Sequence, residues 1–187
     1  SVLVLDSDES NANLFWMLGL DRSPRPLMDL VGGKKLIQQK MLSRFARNEN
    51  EPTMSIWEAG TLPSSGIPAD YAVENESLKL VVTGKIHQSL EGCACPMGAV
   101  TREFLKRLQL APNEVAVVDM EAGVEHFGRG VETSVDAVLC VVEPSLESIS
   151  LAKKVMELTE GAGATFKGVI LNKISSADQE EKVRAKM

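Results

Sequence analysis

The stretch EGCACPMG, residues 91 to 98, sets Cys93 and Cys95 one residue apart in a chain whose only other cysteine is Cys140. Two thiols at i and i+2 in an extended or turn geometry can face one point. Zn2+ takes four tetrahedral ligands, with Zn–S bonds of about 2.3 Å. Ni2+ accepts four thiolates in a square-planar arrangement. One chain offers two such thiols, and no third Cys or His stands at ligand spacing. His87, upstream of the pair, reaches it only through a loop closure. Two chains related by a two-fold axis would bring four thiolates, each chain giving the same patch. The motif therefore reads as half of a metal site shared between two chains. The competing readings are two buried small residues, or a reducible disulfide, which at this spacing is strained. Cys140 lies inside an apolar run and reads as core.

A second group of side chains stands where apolar runs end. LDSDESNANL, from residue 5, carries Asp6, Asp8, Asn11 and Asn13. VVDMEAG, from residue 117, carries Asp119 followed by an Ala-Gly turn at Gly123. VILNK, from residue 169, ends on Asn172 and Lys173. At the carboxyl ends of parallel strands, where α/β folds place ligands, carboxylates can hold Mg2+ through its waters or orient an attacking water. An Asn there can read the edge of a nucleobase. The glycine after Asp119 would let a backbone N–H approach a γ-phosphate. The competing reading is that Asp and Asn cap turns and helices at these junctions. His126, close by, reads as a capping or packing residue.

The elements that must position these groups follow from periodicity. Five apolar runs, at 2–6, 78–83, 114–120, 137–143 and 166–172, are rich in Val, Leu and Ile. Most do not alternate cleanly with polar residues, the pattern of strands buried on both faces of a parallel sheet. Between them lie helical patterns: Ile37, Met41 and Phe45; Val100, Phe104 and Leu108; Ile149, Ala152 and Met156. Gly161 and Gly163 end the last. Alternating strands and helices predict an α/β fold, a mostly parallel sheet flanked by helices. We expect one domain over residues 1–187. The stretch 48–77, rich in Pro, Gly and polar residues, is expected to be a long surface excursion pinned by Trp57 and Tyr71. A strand starting at residue 2 and a last strand followed by one charged segment read as cuts in a longer domain.

Composition narrows the partners. Acids outnumber bases 26 to 20, for a net charge of −6, which argues against a broad nucleic-acid surface. No apolar run approaches the ~18 residues of a membrane span, and the N-terminus lacks the zones of a signal peptide. Three cysteines are too few for a disulfide framework. The expectation is a cytoplasmic, reducing setting with neither nucleic acid nor membrane as partner.

The strings VLVLDSD, VVDMEAGVEHFGRG, VVEPS and GVILNK resemble the landmarks of the MinD/ParA/NifH class of P-loop ATPases. GKIHQSLEGCACPMGAVTREFLKRL and AGVEHFGRG resemble more narrowly the CooC-type nickel-insertion accessory ATPases of carbon monoxide dehydrogenase. The resemblance runs from Val2 to Lys173, and it implies roles. Asp8 would orient the hydrolytic water and Asp119 would support Mg2+. Gly123 would lie in the switch after Asp119, and Asn172 would contact adenine. Asp6 would be the first Asp of the switch pair, and Cys93 and Cys95 the metal pair. ATP, Mg2+ and Zn2+ or Ni2+ are the implied cofactors. A homodimer joined through the Cys-x-Cys motif, and a nickel metalloenzyme client such as carbon monoxide dehydrogenase, are the implied partners. A positioning ATPase of the ParA/MinD kind and a non-catalytic dimeric metal-binding module are the alternatives. One landmark is missing. The class carries a G-x-x-x-x-G-K-[ST] phosphate loop, expected before Val2, and these 187 residues contain none. VGGKK at 31–35 follows no apolar strand and reads as a turn into the helix holding Ile37. Without a nest of backbone N–H groups and its lysine, the chain as it stands is expected to be inactive as an ATPase. The sheet should also lack the strand that carries the loop.

Overall fold

The computed structural model describes residues 1–47, 60–86 and 93–187. The chain forms two compact units, Ser1–Glu121 and Ala122–Met187. In chain order the first unit holds β1 (Val2–Asp6), α1 (Leu14–Met17), α2 (Leu27–Leu30), α3 (Lys34–Arg47) and β2 (Leu62–Pro63). These are followed by β3 (Val73–Glu74), β4 (Leu78–Val82), α4 (Cys95–Arg107), β5 (Leu108–Gln109) and β6 (Val115–Asp119). The main sheet runs β3-β4-β1-β6, and β2 and β5 form a small parallel ribbon. Strand β1 is parallel to both neighbours, with Asp6 opposite Val82 on one side and opposite Asp119 on the other.

Period-two alternation explains how β1 is buried on both faces. Leu3 and Leu5 join Val81, Leu27, Met28, Ile37, Val100 and Phe104 in one cluster. Val4 faces the other way, with Leu20, Leu80 and Val82, against Leu14 and Phe15 of α1. Phe104 of α4 is fully buried, which stabilises the helix on the sheet by about 1.5–3 kcal/mol. This packing fixes the start of α4, where Cys95 stands, relative to the ends of β1 and β4.

The second unit holds α5 (Glu125–Gly128), β7 (Ala137–Val142), α6 (Leu146–Gly161), β8 (Thr165–Leu171) and α7 (Ala177–Arg184). Strands β7 and β8 are parallel, with α6 as their crossover and an irregularity at Val138/Leu139. Ser145 caps α6 by accepting from the Ser148 N–H at 3.1 Å. Val142, Ile149, Ala152 and Val183 form the unit's core.

The predicted strands and long helices stand where the periodicity put them, and the parallel α/β class is correct. Four details differ. Helix α7 was read only as a charged segment. It has one buried residue, Val183, so no apolar stripe announces it. The Ser176 cap and the Asp178–Lys182 and Glu180–Arg184 pairs support it instead. On α6, Val155 rather than Met156 completes the buried stripe. Strands β6, β7 and β8 are not buried on both faces, because Val115, Val117, Leu139, Val141 and Ile170 are each at least 50% exposed. Lastly, the stretch 60–77 is built from β2, β3 and two 3-10 turns. Tyr71 is buried there, with the Arg25 guanidinium 5.2 Å from its ring centroid. Residues 48–59, and Trp57 with them, lie outside the described residues. Among the described residues no helix is long and apolar enough to cross a membrane.

Candidate functional site

The first unit gathers three of the predicted carboxylates at one end of its sheet. Asp6 and Asp119 are directly opposed across the β1–β6 ladder. Asp8 follows two residues beyond the end of β1. The ladder continues past the strands: the Ser7 N–H donates to the Asp119 carbonyl and the Thr83 N–H donates to the Asp6 carbonyl, each at 2.9 Å. The backbone around the cluster is therefore as fixed as the sheet itself. Asp6 is 2% exposed.

A lysine that the sequence reading passed over holds this cluster. The Lys85 ammonium lies 2.7 Å from the Asp6 carboxylate, and it also donates to the backbone carbonyl of Asp8. It belongs to the loop that leaves β4 on the way to the thiols. Next to it, the Ile86 N–H donates to the Glu9 carbonyl at 3.1 Å. Below these contacts lies a buried hydroxyl chain. Ser7 Oγ is 2.8 Å from Thr101 Oγ1 of α4, which is 2.9 Å from Thr83 Oγ1 beyond β4. The residue between Asp6 and Asp8 is thus tied to the helix that begins at Cys95. Lys85 and Thr101 both stand inside the stretch from Gly84 to Leu108 whose resemblance was noted. Periodicity gave no signal for either, because a lysine after a strand and a threonine in a helix carry no pattern.

Electrostatics distinguish the three carboxylates. Burial pushes the Asp6 carboxyl up; Lys85 pulls it down, Asp119 adds to the rise, and the net direction is upward. Burial and then the charge of Asp8 raise Asp119, with Lys85 opposing. Burial also acts upward on Asp8, but its hydrogen bonds bring it below the usual carboxylate range. Its Oδ1 accepts from the Ser10 N–H at 2.8 Å, the Ser10 hydroxyl at 2.6 Å and the Asn11 N–H at 3.2 Å. The turn-capping role weighed for Asp8 is thus physically realised on one oxygen. Crowded oxygen donors of this kind suit Mg2+, a hard cation that keeps several waters and takes one or two carboxylates plus phosphate oxygens. Among the described residues no group of three or more His, Cys, Asp or Glu side chains is arranged to hold a metal by itself.

The thiols open α4. Ala94 precedes the helix, Pro96 stands in its first turn, and the Met97 N–H donates to the Ala94 carbonyl at 2.9 Å. Proline suits that position because its missing N–H would have no helical partner there. Cys93 and Cys95 are both exposed, and neither is in a disulfide. A hydrogen bond from Cys95 holds the Cys93 thiol below its ordinary range, assisted by the charge of Lys34 and opposed by burial. Lys34 begins α3 directly after Gly32 and Gly33, whose φ angles of 90° and 88° make the turn that VGGKK predicted. An accessible thiol pair with one member lowered is donor chemistry that suits a soft divalent ion. Cys140 is half-buried in β7, packed on the second unit's core, and burial raises its thiol.

The remaining predicted residues belong to the second unit. Gly123 has φ of 125°, a left-handed conformation that favours glycine whatever the space around it. Asn172 ends β8, as Glu143 ends β7. Its N–H donates to the Val142 carbonyl at 2.8 Å, and its Oδ1 accepts from the Lys173 N–H. Lys173 adopts a positive φ of 55° and pairs with Glu143 at 2.6 Å. Asp6, Asp8 and Asp119 are brought together in one unit, and Glu143 and Asn172 in the other.

No family model matches the chain. The uncharacterized ATP-binding protein MJ0084 of Methanocaldococcus jannaschii is 43% identical over 180 residues, 96% of this chain and 70% of that protein. The carbon monoxide dehydrogenase accessory protein CooC of Rhodospirillum rubrum is 34% identical over 110 residues, 59% of this chain and 42% of that protein. Among solved structures, the septum site-determining protein MinD complexed with Mg-ADP, from Pyrococcus horikoshii OT3, superposes with a TM-score of 0.59 at 15% identity. That match covers 100% of this chain, which spans 64% of the MinD chain. The chain belongs to the family of the ATP-binding protein MJ0084, on the parallel α/β fold of MinD.

Proposed function

We propose that this chain acts as a nickel-insertion accessory ATPase of the CooC type. ATP with Mg2+ at the carboxylates and a soft divalent metal at the thiols together control the pairing of two chains. The client is a metalloenzyme of the carbon monoxide dehydrogenase kind. The observation that carries this reading is the presence, in one rigidly laddered unit, of a carboxylate cluster suited to hydrated Mg2+ and an exposed pair of thiols at the head of α4, of which Cys93 is lowered. The likeness to CooC and to ATP-binding relatives supports it. In this reading Asp119 and Asp6 hold the waters of Mg2+, which supplies charge neutralisation for phosphoryl transfer. Asp8, kept ionised by Ser10 and Asn11, orients the attacking water. Cys93 and Cys95 supply two of four thiolates, and a second chain supplies the others.

Metal content with sizing chromatography tests the reading. One Zn2+ or Ni2+ per two chains is expected. Cys93→Ala and Cys95→Ala should each lower both metal content and metal-dependent pairing, and Cys140→Ala should change neither. One metal per chain, or a dimer indifferent to chelator, would sink the shared site. The 187 residues alone, lacking a phosphate-loop motif, are expected to hydrolyse ATP only at background. A longer form bearing that loop upstream should hydrolyse it, and Asp8→Ala should abolish the activity. A longer form that binds metal without hydrolysis would leave the non-catalytic metal-binding module.

A further inference from the structure

We propose that Lys85 is a tethered counter-ion for the carboxylate cluster, which a divalent cation displaces from Asp6, and that its displacement loosens the backbone bond at Ile86. The inference rests on the reading of the carboxylates as a magnesium site.

Three observations carry it. First, the Lys85 side chain is 11% exposed and that of Asp6 is 3% exposed, so this is an ion pair taken out of water. Such a pair persists only where its remaining donors are met, and here the ammonium also donates to the Asp8 carbonyl. One cation therefore bridges both ends of the Asp6–Asp8 turn. Second, Asp119 faces Asp6 across the ladder, and its charge adds to the rise that burial imposes on Asp6. A divalent ion entering between them would meet the ammonium at close range. Like charges at that range repel, and the hard cation and the ammonium cannot both keep the Asp6 oxygens. Third, the Lys85 ammonium and the bond from the Ile86 N–H to the Glu9 carbonyl both tie residues 85–86 to the turn that follows β1. Releasing the ammonium removes one of these two ties.

The sign of one measurement separates this role from a merely structural one. Mg2+ alone is titrated into the 187-residue chain and followed by the amide shifts of Ser7, Asp8 and Asp119. If Lys85 competes with the cation, Lys85→Met binds Mg2+ roughly tenfold more tightly, since a neighbouring positive charge is gone. If Lys85 only positions Asp6 and Asp8, the same variant binds Mg2+ more weakly and Lys85→Arg restores the affinity; that result overturns the proposal. Amide exchange at Ile86 is the second readout. Mg2+ should speed it severalfold in the unaltered protein, and in Lys85→Met it should be fast from the start. Should Lys85→Met fail to fold, the unaltered protein still decides. The Lys85 ammonium resonance, protected by its two acceptors, should shift or vanish as Mg2+ is added, and a resonance that stays unchanged at saturation overturns the proposal. Absence of any Mg2+-dependent shift at Asp8 and Asp119 overturns the magnesium reading itself, and this inference with it.

Discussion

Asp6 is 2% exposed and has an ammonium 2.7 Å away, whereas Cys93 and Cys95, in the same unit, are exposed thiols at the head of a helix. The carboxylates are held by continuations of the sheet ladder, by Lys85 and by a buried hydroxyl chain. The thiols are held by their helix and by each other. On the proposed function, the contrast follows from what each group would bind. A hard cation with its own waters gains from fixed, crowded oxygens. A metal shared between two chains needs ligands that a second chain can reach, and burial would hide them. Preorganisation therefore lies at the carboxylates and accessibility at the thiols.

The contrast can be broken most directly at Lys85. Lys85→Met leaves Asp6 buried without its partner and should cost about 3–5 kcal/mol in a urea unfolding titration. By comparison, Cys93→Ala and Cys95→Ala should stay within about 0.5 kcal/mol. A Lys85→Met cost as small as that of the thiol variants would mean that the carboxylates are not preorganised. Thr101→Val, nearly isosteric, should cost about 1–3 kcal/mol, because it removes the shared partner of the Ser7 and Thr83 hydroxyls. A neutral result would place the strength of this region in the backbone ladder alone. The smallest effect sharpens the other side. Alkylation consumes thiolate, so a lowered thiol reacts at lower pH and a raised one at higher pH. The rate-against-pH curve of Cys93 should therefore lie below the ordinary thiol range, and that of Cys140 above it. Quenched alkylation with peptide mapping reads both, and coincident curves would remove the distinction between them.

Much of this was legible in the sequence because strands end where chemistry begins. Val2–Asp6 and Val115–Asp119 were readable as strands, and the carboxylate closing each was readable as a strand-end group. Parallel pairing then forces Asp6 and Asp119 to meet. The thiols were legible because two cysteines at i and i+2 in a cysteine-poor chain are conspicuous. What stayed hidden had no pattern to show. Lys85 acts through a long side chain that reaches back to another strand's end, a contact set by tertiary structure. Ser7 and Thr101 act by meeting across 94 positions of sequence. Helix α7 was missed for a related reason, since Val183 alone is no stripe. The outward Val115, Val117, Leu139 and Val141 misled in the opposite direction. Their composition is that of a packed face, and composition cannot report whether the covering side chains are present.

The hydroxyl chain also has a polarity. Each hydroxyl owns one proton and two lone pairs. Thr101 stands between Ser7 and Thr83 and can donate to only one of them. At least one neighbour must therefore aim its own proton at α4. Whichever does so meets any other partner only as an acceptor. If Ser7 is the one whose proton turns toward α4, its outward side is purely accepting, and a positively charged or donor group beside Asp6 and Asp8 favours that arrangement. Thr101 is then free to send its proton on to Thr83. The orientation of a water-sized dipole beside β4 is in this way set by the charge beside β1, with no atom heavier than hydrogen having moved.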